Sequence, residues 1–485
     1  MYLLSHNIAA VSVAVLLSAL AWVWGGARGD LLPSFVPWLS FLVFEMMLFF
    51  PEQLDGESLA MARSRVWSAM KKDACVWLSL GLIVYLAIPF LNERLSPTLE
   101  PPIAFLPFCI RRAHHLSVFL WFVPTLLAAI AARHSLCRHG KRLLLELLVW
   151  NGVALSVFGF LQLLTGAENP FWTDHHGPLR DFFSTFGYPN MGGDYFTALT
   201  MLAIGLWRFR ENEHLDEDLR RRKPAKILWL RHYPAIAVVF LYLGALSTLS
   251  RSAILLSTVG VVFLLVLAGM EKLKRLDKAR RIRYSGFVFL GAVIITAFAL
   301  LFTPEKLRQE IDSIDSVEAL DRITGRSELH SKAAMDVLWD FPLFGCGGWG
   351  YPYYCPEKFL KYEAKPRKYW GPGSANVHND YLQFLAEHGI VGFMLMFAVF
   401  AFLLQPTIVT WVRLAKEVKF VKHAGLPWPR EFFVFPPAGI AVLVAALTTL
   451  IHAFGDCPLR SAAVLALLYT EIACLEGFLP RPKKA

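Results

Sequence analysis

Apolar runs of spanning length alternate with short charged segments along almost the whole chain. A membrane-crossing helix needs about 20 mostly apolar residues. Twelve stretches are candidates: 8–24, 33–50, 74–91, 116–132, 143–164, 190–207, 234–250, 252–270, 286–303, 378–404, 437–454 and 460–479. The run from Pro234 to Met270 is interrupted only by Arg251. As one helix its 37 residues would extend about 55 Å, against a hydrocarbon core of about 30 Å. A tight hairpin with Arg251 at its outer tip is therefore expected. No internal repeat is visible.

Composition agrees with this pattern. Hydrophobic types make up 56% of the 485 residues, charged types only 18%, and mean hydropathy is +0.46. Average soluble chains carry about 25% charged residues. An ordinary cytosolic enzyme, a collagen-like fibre and a disordered chain are excluded. Residues 1–7 carry no Lys or Arg, and the first run ends in Trp22, Trp24 and a Gly-Gly pair. It reads as a spanning helix rather than a cleaved signal.

The net charge of +10 matters less than where the charges lie. With a cytoplasmic N-terminus, the inner segments hold 31 of the 48 basic residues. Ten of the remainder fall in one long outer loop, 304–377, and long loops follow the positive-inside rule poorly. Both termini are thus expected in the cytoplasm. Basic stretches such as Arg220-Arg221-Arg222-Lys223 fix topology and touch anionic lipid. Nucleic acid is not an expected partner.

The outer loop of about 74 residues is too long to be a mere connector. Pro304 to Asp340 reads as helical and amphipathic. A stretch rich in Gly and aromatics follows, from Phe344 to Tyr354. The candidate chemistry gathers on this side. Arg251 lies in LSRSA, Arg326 in ITGRSELH, and His378 where the tenth helix begins. Arginine is always charged and its fork of donors matches phosphate oxygens. Histidine exchanges a proton near neutral pH. Taken singly, each has a plainer reading: Arg251 as an interfacial charge, Arg326 as a surface charge beside Glu328, His378 as a helix cap.

Several classes lack their motifs. No GxxxxGK[ST] P-loop, HExxH zinc site or GxSxG elbow occurs. Asp174, His175 and His176 form a polar loop rather than a metal site, and no metal or cofactor is expected. Cys346 and Cys355, nine residues apart, are spaced to permit a disulfide if the loop is periplasmic.

HNDYLQFLAEHGIVG (378–392) resembles the signature of the O-antigen ligase and polymerase superfamily. Four further segments are similar and in order: STFGYPNMGGDYF (184–196), LSRSA (249–253), TGRSELH (324–330) and IHAFGDCPLR (451–460). The third of these departs from the family pattern, with His330 where the family often has Trp. The glycines at 345–350 also resemble a family segment. The resemblance covers roughly residues 140–470.

It implies an all-α, GT-C-like polytopic glycosyltransferase of the bacterial inner membrane. About twelve helices are expected, with the large, partly helical periplasmic loop between helices 9 and 10. The divisions are 1–139, 140–303, 304–377 and 378–485. The donor would be a glycan on undecaprenyl diphosphate and the acceptor lipid A-core or another glycan. Arg251 and Arg326 would hold the diphosphate without a metal, and His378 would stand closest to the chemistry. Asn190, Asn379, Glu387 and Asp456 are second-rank candidates; Glu387 lies about 13 Å along the helix from His378, too far for direct contact. Ligation is favoured slightly over polymerisation. A transporter of the lipid-linked glycan is the reading from another class, but it would favour midplane charges and repeated halves.

Overall fold

The computed structural model describes residues 7–173, 182–221, 228–273, most of 285–296, 317–362, 376–423 and 437–479. Among these the chain is helical, and no strand forms beyond two isolated bridges. The helices are α1 (Ile8–Trp22), α2 (Leu32–Phe49), α3 (Leu59–Lys72), α4 (Ala74–Ala87), α5 (Arg112–His134), α6 (Arg138–Leu164) and α7 (Pro189–Arg221). They continue with α8 (Leu228–Ser247), α9 (Arg251–Leu273), α10 (Val317–Asp340), α11 (Tyr351–Tyr362), α12 (Asp380–His423), α13 (Pro437–Gly455) and α14 (Ala462–Leu475).

Among the described residues, seven helical segments are long and apolar enough to cross a membrane: 32–49, 74–91, 112–134, 138–164, 251–270, 380–414 and 438–455. This makes the chain a polytopic membrane protein. The expected count was twelve. Helices α1 and α14, with 15 and 14 residues, are apolar but rise only about 21–23 Å, short of the hydrocarbon core. Every residue of α14 is buried. Its apolar surface runs all round because neighbouring helices surround it. Helix α2 is the opposite case: Trp38, Phe41 and Phe44 are exposed on its outer face. The ninth candidate, 286–303, falls mostly outside the described residues.

The expected break at Arg251 is present. Helix α8 ends at Ser247 and α9 begins at Arg251. Leu249 between them takes a left-handed φ of 59°, and Ser250 Oγ caps α9 by accepting from the Ala253 N–H at 3.3 Å. The turn packs against Gly193 of α7, where a Cβ would come within 2.5 Å of Ala253 Cβ.

The glycine-rich segment at 345–350 serves packing. Helix α12 kinks at Gly389 (φ 62°), and the chain around 342–347 docks there by backbone contacts. The Cys346 N–H donates to the Ala386 carbonyl (3.0 Å), Gly347 to Glu387 (2.8 Å) and Ile390 to Pro342 (2.9 Å). The two backbones interlock through paired glycines. A Cβ at Gly345 would lie 2.3 Å from the Glu387 carbonyl carbon, and one at Gly389 would lie 2.4 Å from that of Leu343.

The same packing decides the cysteines. Cys346 and Cys355 are both buried and are not joined in a disulfide. Cys346 is tied to the α12 backbone at the interlock, while Cys355 sits within α11 with its thiol on the Pro352 carbonyl. Burial pushes the Cys346 thiol well above its ordinary value and Cys355 up to about 12, so both stay protonated.

Candidate active site

His378 lies in the short link before α12, in a left-handed conformation (φ 58°) that non-glycine residues seldom adopt. Asn379 fixes the helix start, its Oδ1 accepting from the Leu382 N–H at 3.1 Å. Asn379 is thus a cap. The His378 side chain is about one quarter exposed, and its Nδ1 stands 3.4 Å from Asp456 Oδ1.

Asp456 follows directly on α13. Its Oδ1 also accepts from the Tyr188 hydroxyl (3.0 Å) and the Cys457 N–H (2.8 Å), and its Oδ2 accepts from Asn190 Nδ2. Asn190 Nδ2 also reaches the Tyr188 hydroxyl at 3.2 Å. Burial alone would raise the Asp456 pKa. The His378 ring and the Cys457 N–H outweigh it and hold the group below the usual carboxylate range. An ionised carboxylate on Nδ1 orients the imidazole and leaves Nε2 for a substrate hydroxyl.

A second histidine completes the wall. The buried His330 ring lies 6.1 Å from that of His378, nearly perpendicular, and its Nδ1 meets the Tyr351 hydroxyl at 2.9 Å. His330 stands in α10 four residues, one turn, after Arg326. The helix carrying Arg326 therefore docks at His378, although the Arg326 side chain lies outside the described residues. Its sequence neighbour Glu328 is taken by Lys332 at 2.5 Å. Arg251 is exposed at the start of α9, and its turn rests on Gly193, one helical turn from Asn190. Asp174, His175 and His176 also lie outside the described residues.

Glu387 is paired away from His378. It forms a two-pronged pair with Arg460, 3.1 Å at each oxygen, with both residues buried. The Arg460 guanidinium lies 4.3 Å from the Trp349 ring centre. Gln383 links this pair to the site: its Nε2 donates to Glu387 Oε1 (3.2 Å), and its Oε1 accepts from the Val377 N–H (2.9 Å). The residue before His378 is thereby held by a buried ion pair. A cavity of about 370 Å³ opens beside the site, lined among others by Trp24, Tyr188, Trp349, Asn376 and Arg460.

Sequence reasoning passed over Tyr188, Arg460 and Trp24. Tyr188 and Arg460 lay inside matched segments, FGYPN and DCPLR, and Arg460 was legible as a charge at the edge of an apolar run. His378, Asp456 and Cys457 also bring three donor atoms within 4.8 Å of one another. As a metal set they fit poorly. Asp456 Oδ1 already accepts from Tyr188, and the Cys457 thiol, raised well above its ordinary value by burial, keeps its proton and points it at that carboxylate.

Residues 236–397 match the family model described as O-antigen ligase. The match includes Arg251, Arg326, His378 and Glu387, while Asn190 and Asp456 lie outside it. A search of curated proteins finds no match. Through this segment, about a third of its length, the chain is similar to the O-antigen ligase and polymerase superfamily.

Proposed function

We propose that the protein transfers a glycan from undecaprenyl diphosphate to an acceptor hydroxyl at the periplasmic face of the inner membrane, ligating O-antigen to lipid A-core. The observation that carries this reading is the His378–Asp456 pair, held by Tyr188 and Asn190 beside a cavity. The acceptor hydroxyl attacks the anomeric carbon of the donor and forms the new glycosidic bond. His378 Nε2 takes its proton. The bond from that carbon to the diphosphate oxygen breaks, and undecaprenyl diphosphate leaves with the electron pair. Arg251 and Arg326 compensate its charge, the role a metal plays in other transferases. Asp456 keeps the imidazole oriented and stabilises its protonated form. Twelve spans, the divisions at 139/140, 303/304 and 377/378, and two cytoplasmic termini complete the reading.

A surface-glycan gel tests it. The gene is deleted and restored as the wild type, Arg251→Ala, Arg326→Ala or His378→Ala. Ligation predicts that deletion strips the ladder from lipid A-core while long polymer accumulates on undecaprenyl diphosphate. It also predicts that only the wild type restores the ladder. Core carrying a single repeat unit would identify a polymerase instead. A ladder unaffected by the deletion would remove this glycan as the substrate. Loss of transfer in His378→Ala with donor binding intact excludes a transporter.

A further inference from the structure

The cavity beside His378 has no task in the chemistry above. Its volume of about 370 Å³ is at the small end of ligand pockets, which run about 300–1,000 Å³. That suits a single sugar rather than a long glycan. Trp24, Tyr188 and Trp349 supply aromatic surface, Asn376 an amide, and Arg28 and Arg460 guanidinium groups. A pyranose needs this combination: apolar C–H faces against rings, and hydroxyls against donors and acceptors fixed in direction.

Charge narrows the ligand. Arg460 is compensated by Glu387, and Arg28 by Asp30 at 2.7 Å. The cavity offers guanidinium donors without uncompensated positive charge, so it favours a neutral sugar over a phosphate or uronate. None of its lining residues comes from the Arg251 turn or from α10, the elements assigned above to the donor diphosphate. Two further features point to a ligand. In two residues that line the cavity, Arg460 Nε and Asn376 Oδ1 are buried without a hydrogen-bond partner among the described residues, a donor and an acceptor whose pairing is incomplete. Trp24 (φ 54°) and Trp349 (φ 58°) both hold left-handed backbone, as His378 does, and strain of that kind collects at ligand sites. Tyr188 joins the two places, lining the cavity while its hydroxyl donates to Asp456.

We infer that this cavity binds a neutral pyranose at the receiving end of the acceptor, seating its hydroxyl at His378. The inference rests on the transfer reading above and specifies its acceptor side. Trp24 and Asn376 are then specificity-determining residues.

Two measurements on the full-length protein in nanodiscs test it. Ligand-observed saturation-transfer NMR is run with methyl glucoside, methyl galactoside, methyl N-acetylglucosaminide, methyl glucuronide and inorganic phosphate. At least one neutral glycoside is expected to bind saturably, more tightly than the glucuronide or phosphate. Trp24→Ala and Asn376→Ala should weaken it about tenfold, equivalent to about 1.4 kcal/mol, and Trp24→Phe should restore most of the loss. Absence of binding by every neutral glycoside, stronger binding of the anions, or unchanged binding in both alanine variants overturns the assignment. In the transfer assay, Trp24→Ala should raise the acceptor KM about tenfold and leave the donor KM unchanged. A rise in donor KM alone would overturn it. If the wild type binds the glycoside but transfers no glycan, the transfer reading fails and the sugar site stands.

Discussion

Two polar clusters sit at opposite ends of the α4–α5 pair, and they are built differently. At one end, Asp73 caps α4 by accepting from the Cys75 N–H at 3.0 Å and takes the Arg133 guanidinium through both carboxylate oxygens. His134 Nε2 lies 2.9 Å from the same carboxylate, and Arg133 Nη1 donates to the Phe402 carbonyl at 2.9 Å. At the other end of these helices, Tyr85 donates to the His388 carbonyl, beside the interlock that carries the His378 segment. There the backbone is left-handed at His378 and Trp349, a cavity adjoins, and buried polar atoms remain open. The first cluster is closed: its carboxylate is occupied by neighbours and ties three helices together. The second holds His378 through Asp456 beside the cavity. Polar groups in a membrane protein mark function when the network is left open toward a cavity, not merely because they are buried.

The contrast is broken most directly by matched substitutions. Asp456→Asn should lower glycan transfer by about 100-fold or more, as expected for an orienting group behind a general base, while Asp73→Asn leaves transfer close to wild type. Initial rates in purified nanodiscs check both. Equal losses would erase the distinction.

Arg460→Met tests the support beneath His378. It strands the Glu387 carboxylate without its partner, at a cost of about 3–5 kcal/mol. The expected result is a large fall in thermal midpoint and yield, with recovery in the Arg460→Met, Glu387→Leu double variant. A single variant as stable as the wild type would deny the pair its role. Gly389→Ala asks whether the interlock is as tight as its geometry. The new Cβ meets the Leu343 backbone in a left-handed residue, so destabilisation of about 1–3 kcal/mol is expected. Thermal unfolding in detergent measures it.

The smallest effect belongs to the closed cluster, and it depends on pH. Burial opposes ionisation of Asp73, but His134 and Arg133 prevail and bring its pKa down to about 2 from 3.8. A carboxylate with a depressed folded pKa stabilises the fold fully above its unfolded value. That contribution is lost as pH falls from about 3.8 through about 2. Asp73→Asn should therefore cost about 1 kcal/mol at neutral pH, since asparagine keeps the helix cap and one hydrogen bond to Arg133, and the difference should vanish near pH 2. Melting curves across that range check the sign.

Much of this was legible in the chain because membranes impose one-dimensional rules. Apolar length marks helices, and Arg251 alone was enough to break a run too long for one span. Other features were hidden because they depend on who sits next to whom. The spacing of Cys346 and Cys355 suggested a disulfide, but backbone pairing at Gly345 and Gly389 fixed the two thiols apart from each other's chemistry. Glu387 looked like a site residue of second rank, and its partner Arg460, 73 positions away, made it a support. Asn379 proved to be a cap, while Asn190 and Asp456 met at His378 from segments 266 residues apart.

The sequence by itself determined that the chain is a helical membrane protein, where its main hairpin turns, and which family signature carries the histidine. Those properties follow from hydropathy, charge and local spacing, which need no third dimension. Only the tertiary structure decided that Asp456 orients His378, that Tyr188 joins that pair to a cavity, and that a tryptophan from the first loop lines it. Those contacts arise where distant helices pack, and packing depends on shape and partner rather than on order along the chain.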